Sequence, residues 1–364
     1  MRANVARKES YIYPSKPEPV GCNPEDDLGS SSIWTRGDDA AMEPIHVVTP
    51  LWNSSSLSAV MGAPVYLKME AFQPTGSFKA RGIGAACQAS QQAGATRLVC
   101  ASGGNAGYAV AYAGRAIGVP VTIVVPKTTP AWLQDLIRQE EATVVVTGDS
   151  WDDAHIYATQ LAEQERAAYI HPFDDPRVWQ GHASIIHEMA AAGVKPGVVV
   201  LSVGGGGLLC GLLEGLHQVG WMDVPVLAVE TEGAASFAAS VQAGHLITLD
   251  RITSLATTLG ARKVASEALA WTRRHRVTPW TVTDRAAVEA CLRFADEHRV
   301  LVEPACGASL AAVYGRAEPL HGLEPIVVIV CGGAGVSLRL LDEWKRKVAE
   351  SQKGDGNRGS HRSS

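Results

Sequence analysis

The chain alternates short apolar runs with stretches in which apolar positions return every three or four residues. VYLKME (Val65 to Glu70), RLVCAS, VTIVVP and TVVVTG are each followed by an amphipathic stretch. These run through the 80s, from near Asn105, from Pro130, and along WDDAHIYATQLAEQE. Further on, GVVVLSVG, VPVLAVE and IVVIVCGG are continuous β-branched runs. Such runs suit strands covered on both faces, so the pattern predicts an α/β fold built on parallel sheets in βαβ order. The first forty or so residues are rich in Pro, Ser, Gly and charge without periodicity, and a flexible extension is expected over 1–42. The tail over 349–364 reads the same way.

Glycines gather where strands end: Gly103-Gly104 after RLVCAS, Gly204 to Gly207 after VVVLSV, and Gly332-Gly333 after IVVIVC. Open α/β sheets bind ligands beyond the carboxyl ends of their strands, so three clusters together point to a composite small-molecule site. Tight turns also use glycine for purely structural reasons, and one cluster alone would carry no such weight.

Composition narrows the ligand. The net charge of -5 gives no electrostatic reason to expect nucleic acid. No apolar run approaches the roughly 20 residues of a membrane span, and the first residues lack the apolar segment of a secretory signal. The seven cysteines show no CxxC pair and several lie in apolar runs. That favours reduced thiols in a cytosol-like compartment over a disulfide framework or a zinc site.

Four segments carry candidate chemistry. Gly204-Gly205-Gly206-Gly207-Leu208 leaves a strand and enters the helix LLCGLLEGL, where bare backbone N–H groups and the helix dipole can cradle a phosphate. Its spacing is not the G-x-G-x-x-G of a dinucleotide site. Lys79, in PTGSFKARG, stands at a helix start beside an aromatic residue, where desolvation would lower its pKa and permit a Schiff base. Most lysines so placed are merely solvated charges. Ser102-Gly103-Gly104-Asn105-Ala106-Gly107 can clamp a carboxylate or can simply cap a helix, and local logic leaves these equal. Cys331 closes an apolar strand before two glycines and, by itself, reads as core.

Taken together these segments resemble the serine/threonine dehydratase family of fold-type-II pyridoxal enzymes, nearest to the short animal-type L-serine dehydratases and their serine-dehydratase-like paralogues. The resemblance runs from about Thr49 to the CGGAGVSL segment. It covers LKMEAFQPTGSFKARG, ASGGNAGYAVAYA, HPFDDPRVWQGHAS, LSVGGGGLLCG, ITSLATTLGARKV and LVEPACGASLAAVY. It implies two open twisted-sheet α/β lobes with the cofactor in the cleft: a small lobe over 72–173 inserted in a large one over 43–71 and 174–348. It implies that Lys79 carries pyridoxal phosphate as a Schiff base and removes the α-proton, with Phe78 and Thr258 on opposite faces of the ring. Gly204, Gly205, Gly206, Gly207 and Leu208 would hold the phosphate and Cys331 would face the pyridine nitrogen. Ser102, Gly103, Asn105 and Ala106 would bind the substrate carboxylate, with Asn105 also touching the phenolic oxygen. A structural monovalent cation, expected to be K+, would be held by Glu230 and by Gly204, Ala234, Leu259 and Ala261.

The implied activity is dehydration and deamination of L-serine to pyruvate and ammonia, with secondary action on L-threonine, by a cytoplasmic homodimer. Related racemases carry a serine at the position of Gly103, so little racemisation is expected. Thr258 departs from the Ala or Ser of near relatives. A β-replacement or threonine-synthase-like enzyme and a non-catalytic cofactor-binding descendant are the alternatives.

Overall fold

The computed structural model describes residues 43–359; the extension expected over 1–42 lies outside the described residues. In chain order the elements begin β1 (Leu51–Asn53), α1 (Ser55–Met61), β2 (Val65–Lys68), α2 (Lys79–Gln92), β3 (Leu98–Ala101) and α3 (Asn105–Ile117). Then come β4 (Val121–Val125), α4 (Ala131–Gln139), β5 (Thr143–Val146), α5 (Trp151–Glu165), β6 (Ala168–Tyr169) and α6 (Pro176–Ala191). They continue with β7 (Val198–Ser202), α7 (Gly207–Gln218), β8 (Val226–Thr231), α8 (Ser236–Ala243), α9 (Ser266–Trp271) and β9 (Val277–Val282). The chain closes with α10 (Asp284–His298), α11 (Pro304–Tyr314), β10 (Ile326–Ile329) and α12 (Leu338–Gly359).

The strands form two sheets. A six-stranded sheet has the order β1-β2-β10-β7-β8-β9, and a four-stranded sheet has the order β5-β4-β3-β6. Every pairing is parallel except β1 with β2. The central strands β7, β8 and β10 are buried along their whole length, as their unbroken β-branched runs require. Among the described residues the one proline inside a strand, Pro279, lies in β9 at a sheet edge, where a missing N–H costs no interior ladder bond. The larger apolar core runs through both sheets and includes Cys100 and Ile123 of one with Val199 and Val328 of the other, and a smaller one packs Val99, Ala101 and Val124 against Ala154, Ala158 and Ala162 of α5. Among the described residues no helix is long and apolar enough to cross a membrane.

Three details differ from the sequence reading. The run VYLKME is a strand only to Lys68, because Glu70–Phe72 forms a 3-10 turn that swings Glu70 into the interior. Strand β10 ends at Ile329, so Cys331 sits just past the strand rather than on it. Helix α12 continues to Gly359, which makes 349–359 helical where an unstructured tail was expected. The segment EWKRKVAESQK is made largely of good helix formers, which favour continuation of the helix.

A buried charge cluster fixes the start of α2. Arg81 is fully buried and donates to both oxygens of Glu70, at 2.6 and 2.8 Å, and of Glu188, at 2.5 and 2.8 Å. Lys68 donates to Glu188 as well and to the Thr49 carbonyl at 2.8 Å. Two cations and two carboxylates balance, and three separate segments are tied to one guanidinium. Beside the cluster, α2 and α6 meet at glycines: a Cβ on Gly181 would stand 2.7 Å from the Gly82 Cα. Replacing one partner of such a cluster strands the opposite charges in a dry interior. Arg81→Met is therefore expected to lower stability by about 3–5 kcal/mol, seen as a clear fall in the denaturation midpoint. An unchanged midpoint would show that these charges do not hold α2 in place.

Candidate active site

Lys79 is the first residue of α2, and its position is set by backbone rather than by side chains. The segment before it runs beside the end of β10: Phe78 donates its N–H to the Cys331 carbonyl at 3.2 Å, and Gly333 donates to Gly76 at 2.8 Å. Ser77 and Gly332 form an isolated antiparallel bridge. Gly332 has φ of 84°, and a Cβ there would stand 2.2 Å from the Gly76 carbonyl oxygen, so only glycine allows this approach. The lysine and the cysteine, far apart in sequence, are thereby brought to one place.

The Lys79 amine lies 5.1 Å from the centre of the Phe78 ring and donates to the Pro172 carbonyl at 2.5 Å. Among the described residues no carboxylate hydrogen-bonds to it. Burial lowers its pKa from 10.5 to about 8, because the charged form is deprived of water. The His182 ring packs against Phe78, with centroids 4.9 Å apart, and burial holds its pKa well below normal. A neutral imidazole therefore backs the aromatic ring.

Pro172 leads into Phe173, whose ring covers the glycine loop. A Cβ on Gly205 would stand 2.3 Å from that ring, and one on Gly207 would stand 2.6 Å from the Phe173 carbonyl oxygen. Gly206 has φ of 90° and caps α7. The loop thus turns backbone N–H groups toward a helix start with no side chain in the way, an arrangement suited to an anion. Leu208 is buried behind it. The sequence reading gave Pro172 and Phe173 no role, since neither residue type signals a lid over a glycine turn.

Before α3, Ser102 Oγ accepts the Gly104 N–H at 3.3 Å, and Ala106 is buried in the first turn of that helix. Gly104 occupies the cap position of α3 with no side-chain cap, so neither Ser102 nor Asn105 is spent on capping that helix. Asn105 instead accepts the Ala334 N–H through Oδ1 at 2.8 Å and donates Nδ2–H to Glu303 at 2.7 Å. Gly103 faces Thr129: a Cβ at 103 would stand 2.4 Å from the Thr129 hydroxyl oxygen. Thr258 donates to Glu303 at 2.6 Å, and its methyl group would lie 3.7 Å from a Cβ on Gly104. Thr129 and Glu303 were missed in the sequence. For Glu303 a signal existed, a lone acid in front of a wholly apolar helix.

Cys331 is buried, and its thiol is held well above its ordinary pKa, first by a hydrogen bond with Cys306 and then by burial. It is a neutral thiol at any physiological pH. Of the residues expected to bind a cation, Gly204 lies against Leu259, with a would-be Cβ 3.1 Å from the Leu259 Cα. Ala261 donates its N–H to Leu259 at 2.7 Å, and Ala234 donates to Thr231 at 3.0 Å. Glu230 is fully buried and accepts the N–H groups of Phe237 and Ala238 at the start of α8. Burial pushes its carboxyl up to about 7 despite those two bonds.

A desolvated lysine, a glycine turn beside Phe173 and a neutral thiol are groups that pyridoxal phosphate would use. The model of the family described as pyridoxal-phosphate dependent enzyme matches residues 42–332. The chain belongs to that family. Among curated relatives, a human L-serine dehydratase/L-threonine deaminase is 48% identical over 316 residues, covering 84% of this chain and 96% of the relative. A human serine dehydratase-like protein is 47% identical over 320 residues, covering 85% and 97%. Among solved structures, a fungal L-serine ammonia-lyase from Rhizomucor miehei superposes with a TM-score of 0.79 at 38% identity, covering 84% of this chain and 99% of that one. The fold is therefore that of a fold-type-II pyridoxal enzyme, as the sequence implied.

Only a neutral amine attacks an aldehyde, and the neutral fraction of Lys79 grows as pH rises through its pKa. Uptake of pyridoxal phosphate by the apoprotein should speed up with pH and level off above about 8. A rate still climbing toward 10.5, followed by stopped-flow absorbance, would mean that the amine is solvated.

Proposed function

We propose that this chain is a pyridoxal-phosphate-dependent ammonia-lyase that converts L-serine to pyruvate and ammonia and acts secondarily on L-threonine to give 2-oxobutyrate. The observation that carries the reading is the Lys79 amine, desolvated between Phe78 and the Pro172 carbonyl with no carboxylate to hold its proton. The relatives named for serine dehydration and threonine deamination support the substrate class.

The residues present fit the cofactor. Gly204 to Gly207 and Leu208 would hold its phosphate, Lys79 its aldehyde carbon and Cys331 its pyridine nitrogen. Bound pyridoxal supplies the electron sink that makes an amino acid's α-proton acidic. The protein's own part is positioning and proton transfer. Lys79 Nζ, as a neutral amine, would take the substrate's α-proton as general base. Asn105, Ser102 and the exposed N–H groups at the start of α3, with Gly103 and Ala106, would orient the substrate carboxylate. Phe173 over the glycine loop, and Phe78 backed by His182, exclude water from the amine. Cys331 remains a protonated thiol, so it supplies no fixed positive charge at the pyridine nitrogen. Loss of the β-hydroxyl then frees an enamine that water hydrolyses to pyruvate and ammonia.

Position 103 supports elimination over racemisation. Glycine has no acid to offer the opposite face of Cα, and Thr129 fills the space into which a side chain there would grow. Glu230, a buried carboxylate without a cationic partner, fits a monovalent cation shared with the carbonyls of Gly204, Ala234, Leu259 and Ala261, and we take that ion to be K+. The two sheets support a small lobe over 72–173 inserted in a large lobe over 43–71 and 174–348. A cytoplasmic homodimer is proposed from the family resemblance.

With pyridoxal phosphate bound, L-serine should yield pyruvate and L-threonine 2-oxobutyrate, while D-serine formation stays below detection. Lys79→Ala should abolish both products and the cofactor's absorption band. Turnover unchanged in Lys79→Ala, or a new amino acid replacing pyruvate when a thiol is supplied, would overturn the assignment.

A further inference from the structure

Glu303 directly precedes α11, a helix buried on all sides from Pro304 to Val313, and is itself only 5% exposed. Its Oε1 accepts two hydrogen bonds, from Asn105 Nδ2 at 2.7 Å and from Thr258 Oγ1 at 2.6 Å. Its other side lies against the glycine segment after Cys331. A Cβ on Gly333 would stand 2.2 Å from the Glu303 Cδ and 2.4 Å from its Oε2. One carboxyl group thus touches the start of α3, the Thr258 loop and the Gly333 turn. A buried carboxylate beside groups that would bind a substrate carboxylate is electrostatically unfavourable unless it does something else there.

We infer that Glu303 is a positioning residue that fixes which end of the Asn105 amide faces the cofactor and substrate, and that holds Thr258 through the same oxygen. The amide oxygen and nitrogen of asparagine are interchangeable in shape, so a lone Asn can present either. Here the Ala334 N–H can only donate and the Glu303 carboxylate can only accept. Together they lock the amide with Oδ1 toward Ala334 and Nδ2 toward Glu303. The second Nδ2 hydrogen has no partner among the described residues. Asn105 must therefore offer the site a donor, which suits an anionic oxygen and not a hydroxyl that seeks an acceptor. Threonine at 258 supplies a hydroxyl for Glu303 and turns a methyl group toward Gly104. This inference rests on the reading above that Asn105 contacts cofactor and substrate.

Burial raises the Glu303 carboxyl to about 7, with the bonds from Thr258 and Asn105 pulling the other way. The titratable groups around it are the thiols of Cys291 and Cys331, both kept protonated far above neutrality. Below its pKa the carboxyl is protonated and its grip on Asn105 weakens. The working form is gained as pH rises.

The test titrates the cofactor's absorption band in substrate-free holoenzyme and, separately, measures kcat/KM for L-serine across pH. The parent enzyme should show an inflection near 7 in both. Glu303→Gln keeps an acceptor oxygen but cannot titrate; it should cost about fivefold in kcat/KM and erase the inflection. Glu303→Ala should cost on the order of 10- to 100-fold. In an Asn105→Ala background the same change should cost no more than about twofold, since coupled residues are not additive. An inflection near 7 that survives in Glu303→Gln would overturn the inference, as would a full additional loss on top of Asn105→Ala. Should Glu303→Ala fail to fold, the isosteric Gln variant alone decides. If the enzyme does not turn over L-serine at all, the substrate-free titration still tests Glu303 separately from the function.

Discussion

The backbone hydrogen bonds between Gly76–Phe78 and Cys331–Gly333 make one site from two ends of the chain. They depend on Gly332, whose positive φ and lack of Cβ let two backbones approach where any side chain would collide. The charge cluster around Arg81 then holds the first turn of α2, so that Lys79 cannot swing away. Neither feature touches the reacting atoms, yet both determine where the amine stands.

Around that fixed point the chemistry is one of exclusion. Lys79 is buried beside Phe78, which packs on a neutral His182, and its pKa falls because the charged amine is deprived of water. Acids are kept from the amine: Glu70 and Glu188 are consumed by Arg81 and Lys68, and Glu303 is occupied by Asn105 and Thr258. The same economy of side chains appears at Gly103, where Thr129 occupies the room that a side chain would need.

Much of the fold was legible because the central strands are buried on both faces and announce themselves as unbroken β-branched runs. The strands that escaped notice, β1, β6 and β9, are all sheet edges. They are short or half-exposed, and β9 carries a proline. Lys79, the glycine loop and Cys331 are singled out only by the family resemblance, since local patterns leave each of them ambiguous. Phe173 and Thr129 could not be found from sequence, because their importance lies in what they touch: the missing side chains of Gly205, Gly207 and Gly103. Glu303 lay within reach. A single acid ahead of PACGASLAAV, a segment with no polar face, had to be buried and therefore had to be bonded.

The proposed function requires that the cofactor join Lys79 and no other amine. Reduction of the holoenzyme with borohydride, followed by proteolysis and mass spectrometry, locates the fixed pyridoxyl group. It should appear on the peptide containing Ser77-Phe78-Lys79, at the lysine, and on no other peptide. A pyridoxyl group on Lys68 or on a surface lysine, with Lys79 unmodified, would contradict the account.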